Sequence, residues 1–136
     1  MRVIVCLDER QGMLFNHRRQ SRDRALIDDV MASLGDALLW IAPYSQSLFA
    51  QREGRISVSE DFLDSAANGD VCFVEDRSLR EYVDRIEAVT VYRWNRHYPA
   101  DLYFDLDLQE CGFRLTERTE FAGTSHEMIT KETYTK

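Results

Sequence analysis

The stretch Ala88-Val-Thr-Val-Tyr-Arg-Trp-Asn-Arg-His-Tyr-Pro-Ala-Asp-Leu-Tyr-Phe-Asp-Leu-Asp-Leu108 decides the fold. It opens on Val89, Thr90, Val91 and Tyr92, β-branched and aromatic residues that suit a pleated strand. It closes on Leu102, Phe104, Leu106 and Leu108 alternating with Tyr103, Asp105 and Asp107, a period of two. Tyr98-Pro99-Ala100-Asp101 interrupts any regular element between them.

Upstream of this stretch lie three more short apolar runs, Val3–Leu7, Leu38–Ile41 and Val71–Val74. Such runs mark strands buried on both faces, so with Val89–Tyr92 they predict the centre of a twisted, mostly parallel sheet. Helical periodicity falls between them. Leu26, Ile27, Val30, Met31 and Leu34 predict a helix over about Arg22–Leu34, with Ser21 or Asp23 as cap and Gly35 after it. Ser45 begins a short helix, Ile56–Val58 a short strand, and Ser59–Ala67 a further helix. Ser78-Leu-Arg-Glu81 has the pattern of a capping box before Leu79, Tyr82, Val83 and Ile86. Phe113–Phe121 and Met128–Tyr134, joined through Gly123-Thr124-Ser125, predict a terminal antiparallel hairpin. The whole reads as one α/β domain over residues 1–136.

Composition narrows the partners. Seventeen basic against twenty-four acidic residues give a net charge of −7, which argues against a nucleic-acid backbone. No run is long enough to span a membrane, the opening apolar run is too short for a signal peptide, and the cytoplasm is the expected compartment. Cys6, Cys72 and Cys111 are far apart in sequence and read as reduced thiols. Nothing in the sequence fixes an oligomeric state.

The order of elements resembles dihydrofolate reductase over nearly the whole chain. Gln20-Ser-Arg-Asp23 before Ala25-Leu26-Ile27 is similar to the start of that family's first helix, where its substrate-binding acid sits. Gly54-Arg55 falls where the family has an arginine for the folate glutamate, and Leu79–Leu108 resembles its later helix and long strand. The resemblance implies a dihydrofolate reductase-like α/β fold and makes Asp23 the candidate catalytic acid. Arg55, Arg22, Trp94 and His97 are candidate ligand-binding residues, Trp94 and His97 because strand ends in such sheets face ligands.

The departures from that family are specific. Where its strand runs into two cofactor-approaching glycines, this chain has Glu75-Asp76 after Val74. The segment from Arg55 to Ser59 is too short for the strand and loop that cradle the adenosine half of the cofactor. Added side chains and negative charge both oppose a diphosphate there, so no cofactor is expected. The resulting reading is a non-reducing relative that binds a small ligand or a protein partner. The alternative is a small-molecule enzyme, a reduced-size reductase with Asp23 as acid. A second resemblance, to bacterial sequences labelled ribonuclease Z, implies zinc-dependent RNA cleavage. That family's HxHxDH cluster is absent, since His17, His97 and His126 stand far apart and no metal is expected.

Overall fold

A computed structural model describes all 136 residues. Its core is a seven-stranded sheet made of β1 (Arg2–Leu7), β4 (Leu39–Ile41), β5 (Ile56–Val58), β6 (Val71–Phe73), β7 (Ala88–Arg93), β9 (Arg114–Phe121) and β10 (Ile129–Thr135). The order across the sheet is β5-β4-β6-β1-β7-β10-β9. The first five strands in that order run parallel, and β10 and β9 pair antiparallel at one edge. A small sheet of β3 (Arg18–Arg19), β2 (Gly12–Phe15) and β8 (Leu102–Tyr103) lies beside it.

Alternation along the strands builds two cores. Val3, Val5 and Leu7 of β1 point to one face, with Phe62, Cys72, Val89, Val91 and Phe113. Ile4 points to the other, with Leu26, Ile27 and Val30 of α1 (Arg24–Ser33), and with Phe73, Tyr92 and Ile129. A strand sandwiched this way has apolar residues at every position, which is why the central runs carry no polar alternation. The edge strand β9 is exposed along nearly its whole length, and its Arg114, Glu117, Arg118 and Glu120 discourage pairing with another sheet.

All four central strands fall where the sequence places them. The helices are shorter than their periodicity predicts. Ser59–Ala67 contributes only one α turn, α2 (Phe62–Ser65), and Pro43–Leu48 and Arg80–Arg85 are 3-10 segments. The capping box does not form: Leu79 precedes the Arg80–Arg85 segment, while the Ser78 hydroxyl accepts from the Arg80 N–H and donates to Asp105. Beyond Tyr103 the period-two stretch is not a strand; Phe104 and Leu106 are buried from a loop.

Connectivity locates a crevice. The chain leaves β1 through α1 toward β4 on one side, and leaves β6 through Arg80–Arg85 toward β7 on the other. Leu26 and Ile27 pack on one face and Leu79 and Ile86 on the opposite one. Adjacent strands whose connections diverge in this way leave a gap at their carboxyl ends, and β1 and β6 are that pair.

Candidate functional site

The cleft at this gap is lined by Cys6 from β1, by Phe73, Val74 and Glu75 from the end of β6, by Trp94 just past β7, and by Arg19–Asp23 leading into α1. Its enclosed space is small, about 20 Å³, room for a single water. It continues into an open trough of about 670 Å³ between α1 and the segment ending at Arg52, where Arg22, Arg24 and Arg52 meet Asp28.

Asp23 organises the region. It is the N-cap of α1, with extended backbone (φ −151°, ψ 126°), and Oδ1 accepts from the N–H groups of Ala25 at 2.9 Å and Leu26 at 3.3 Å. The loop between β9 and β10 closes over the same carboxylate. Thr124 N–H donates to Oδ1 at 2.9 Å, Ser125 N–H to Oδ2 at 2.8 Å, and His126 Nδ1 lies 3.0 Å from Oδ2. Burial alone would raise the Asp23 pKa, but the N–H of Thr124, His126 and the other donors outweigh it and hold the carboxyl at about 2.

His126 is the residue that sequence reading missed. It is only 5 % exposed, and its ring stacks on Trp94 with centroids 4.6 Å apart and 26° between planes. Its second nitrogen, Nε2, lies 3.1 Å from Ser21 Oγ and 2.9 Å from Tyr98 Oη. A second hydrogen-bonded group lies at the end of β6. The Arg19 guanidinium donates to both Glu75 oxygens at 2.9 and 3.1 Å, and Ser45 Oγ donates to Glu75 Oε1 at 2.7 Å. Asp76 is likewise forked by Arg77, at 2.8 and 3.1 Å. Cys6 is inert here, because burial pushes its thiol well above the ordinary range.

The candidates from sequence divide accordingly. Asp23, Arg22 and Trp94 share the cleft. Arg55 does not: it precedes β5, at the amino ends of the strands, and its Nη1 donates to Asp36 O at 2.9 Å. The trough is lined instead by Arg22, Arg24 and Arg52, the last ion-paired with Asp28. His97 is exposed and does not line the cleft; of the segment Trp94–Tyr98, Trp94 and Tyr98 reach His126. Asp23 is in place, and the five donors on its two oxygens outweigh its burial and hold its carboxyl low, at about 2. The three histidines do not converge, and no group of three or more His, Cys, Asp or Glu side chains is arranged to hold a metal ion.

The sequence matches no protein-family model and no curated protein. In three dimensions the chain is similar to dihydrofolate reductase from Enterococcus faecalis, solved as a complex with NADP(H) and RAB-propyl. The TM-score is 0.67 at 11 % sequence identity, over 98 % of this chain and 94 % of that one. The mixed sheet, the crevice at its switch point and the terminal antiparallel pair are thus those of the dihydrofolate reductase fold.

Proposed function

We propose that this protein binds a small ligand in the cleft and trough beside α1 and does not reduce it with a nicotinamide dinucleotide. The observation that carries the reading is Glu75. By the sequence resemblance it replaces one of the two glycines that the reductase family brings against the cofactor, and its side chain is fixed by Arg19 and Ser45. The charge is neutralised by Arg19, so the obstacle is chiefly the volume of a clamped side chain and only secondarily Coulomb repulsion. On the adenosine side, β5 reaches α2 through Ser59–Asp61 alone, with no further strand to cradle a nucleotide. The residues present therefore do not fit NADP(H).

A ligand is supported by what the cleft leaves unused. Gln20 Oε1 is a buried acceptor with no protein partner, while its Nε2 donates to Asp8 at 3.1 Å and Pro99 O at 3.3 Å. A buried acceptor left over beside a cleft leaves a hydrogen bond open to a water or to a bound donor. Arg22 and Arg24 on the trough favour an anionic group there. Titration calorimetry with NADPH tests the reading. No binding is expected at millimolar cofactor, and NADPH is not oxidised in the presence of dihydrofolate; a dissociation constant in the low micromolar range overturns it. The double variant Glu75→Gly, Asp76→Gly is expected to remain unable to bind, because the adenosine-side segment is still missing.

A further inference from the structure

Ser21, His126 and Asp23 form a relay of hydrogen bonds that ligand binding alone does not require. Ser21 Oγ to His126 Nε2 is 3.1 Å, and His126 Nδ1 to Asp23 Oδ2 is 3.0 Å. We propose that the cleft hydrolyses small carboxylic esters, with Ser21 as nucleophile, His126 as its general base and Asp23 as the residue that positions the imidazole.

The geometry assigns each role. An ionised carboxylate only accepts, so Nδ1 carries the proton that points at Asp23, and in the neutral ring Nε2 is left as an acceptor facing Ser21. Four backbone N–H groups hold the carboxylate and Trp94 holds the ring face, so the base is fixed in direction before any substrate arrives. Ser21 is half-buried and lines the cleft, and its hydroxyl is the nucleophilic group of the three. The N–H groups of Arg22 and Asp23, directly after the nucleophile, donate to no protein acceptor. The residue after a nucleophilic serine is a recurrent source of oxyanion stabilisation. The Tyr98 hydroxyl shares Nε2 with Ser21 and is the competitor that substrate binding must displace.

The step balances without a cofactor. Ser21 Oγ forms a bond to the ester carbonyl carbon while its proton passes to Nε2. The carbon–alkoxide bond then breaks, and the departing alcohol takes that proton. Water attacks the acyl-serine with Nε2 again accepting a proton, the carboxylic acid leaves, and Ser21 is restored. Ser21 lies where the narrow cleft meets the open trough, since both are lined by Arg22 and Asp23, and the trough is the side with room for the ester.

The inference takes from the preceding reading only that a small ligand enters the cleft. An NADPH titration that overturned that reading would leave the following test unaffected. The folded protein is treated with a small fluorophosphonate and mapped by mass spectrometry, and p-nitrophenyl acetate hydrolysis is followed in parallel. One adduct is expected, on Ser21, slowed at least about a hundredfold in His126→Gln, the scale of general base catalysis. Ester hydrolysis is expected to fall by a similar factor in Ser21→Ala, whose only hydrogen-bond change is the loss of the Oγ contact to His126. Asp23→Asn is expected to lower kcat while leaving KM unchanged. An unlabelled Ser21, or a Ser21→Ala variant that hydrolyses the acetate at the wild-type rate, overturns the proposal whether or not the histidine variant folds.

Discussion

A methyl group added at Gly123 would lie 2.6 Å from Asp23 Oδ2 and 2.8 Å from His126 O, closer than a Cβ approaches other atoms. The backbone of the hairpin loop therefore passes directly over the carboxylate, and that is how Thr124 and Ser125 come to present their N–H groups to it. Neither neighbour can retreat: Asp23 is the cap of α1 and His126 is buried against Trp94. Gly123→Ala is expected to lower stability by about 1–3 kcal/mol, the usual cost of overpacking, read as a shift in the urea midpoint. An unchanged midpoint would show that the loop lifts off freely and that its grip on Asp23 is weak. Asp23 itself shows how one residue type admits two readings. An acid at the start of a helix facing a cleft is equally a ligand-binding group or a cap, and here the cap is made by a carboxylate that also lines the cleft.

At the scale of elements, the central strands were legible because burial on both faces leaves an unbroken apolar run, a pattern few other structures share. The helices were less legible. Phe62, Leu63, Ala66 and Ala67 have helical spacing, yet Ala66 turns extended (ψ 138°) and stops α2 after one turn. Periodicity reports which side chains face the core, and a 3-10 segment or a single turn meets that demand as well as a full helix does. The junction of β3 with the end of β6 depends on the Arg19–Glu75 fork, whose side chains are 19 % and 9 % exposed. Arg19→Met leaves the Glu75 carboxylate with Ser45 as its one remaining hydrogen-bond donor. The expected loss is toward the lower end of the roughly 3–5 kcal/mol seen when one partner of a buried pair is removed. Arg19→Met with Glu75→Met is expected to regain most of it, since an apolar pair of similar volume needs no solvation. A double-mutant cycle of urea midpoints checks this, and additive losses would mean that the fork carries no coupling.

For the molecule as a whole, the cleft was partly legible and its chemistry was not. Asp23, Arg22 and Trp94 lie on or beside elements that sequence periodicity and the resemblance place at the crevice. His126 comes from a loop a hundred residues further along, and no spacing rule joins it to Ser21 and Asp23. Only the return of β10 alongside β7 brings it there. That closure has a pH signature. Asp23 has its folded pKa depressed to about 2, below the usual carboxylate value near 3.9; Asp8, buried and accepting from the N–H groups of Gly12, Arg10 and Tyr98, is lowered too. A depressed folded pKa means that the unfolded chain binds the proton first. The stabilisation is thus fully present above about pH 4 and is lost as pH falls toward 2. For Asp23 the fall to about 2 corresponds to about 2–3 kcal/mol, carried by the hydrogen bonds that join α1 to the hairpin. Unfolding free energies from urea titrations at pH 5, 3.5 and 2.5 are expected to fall steeply for the wild type. In Asp23→Asn, starting lower, the fall is expected to be shallower by about one proton's slope, Asp8 supplying much of the remainder. Parallel curves for the two proteins would mean that the carboxylate is protonated in the folded state well above pH 2, and that the hairpin is held by something other than its charge.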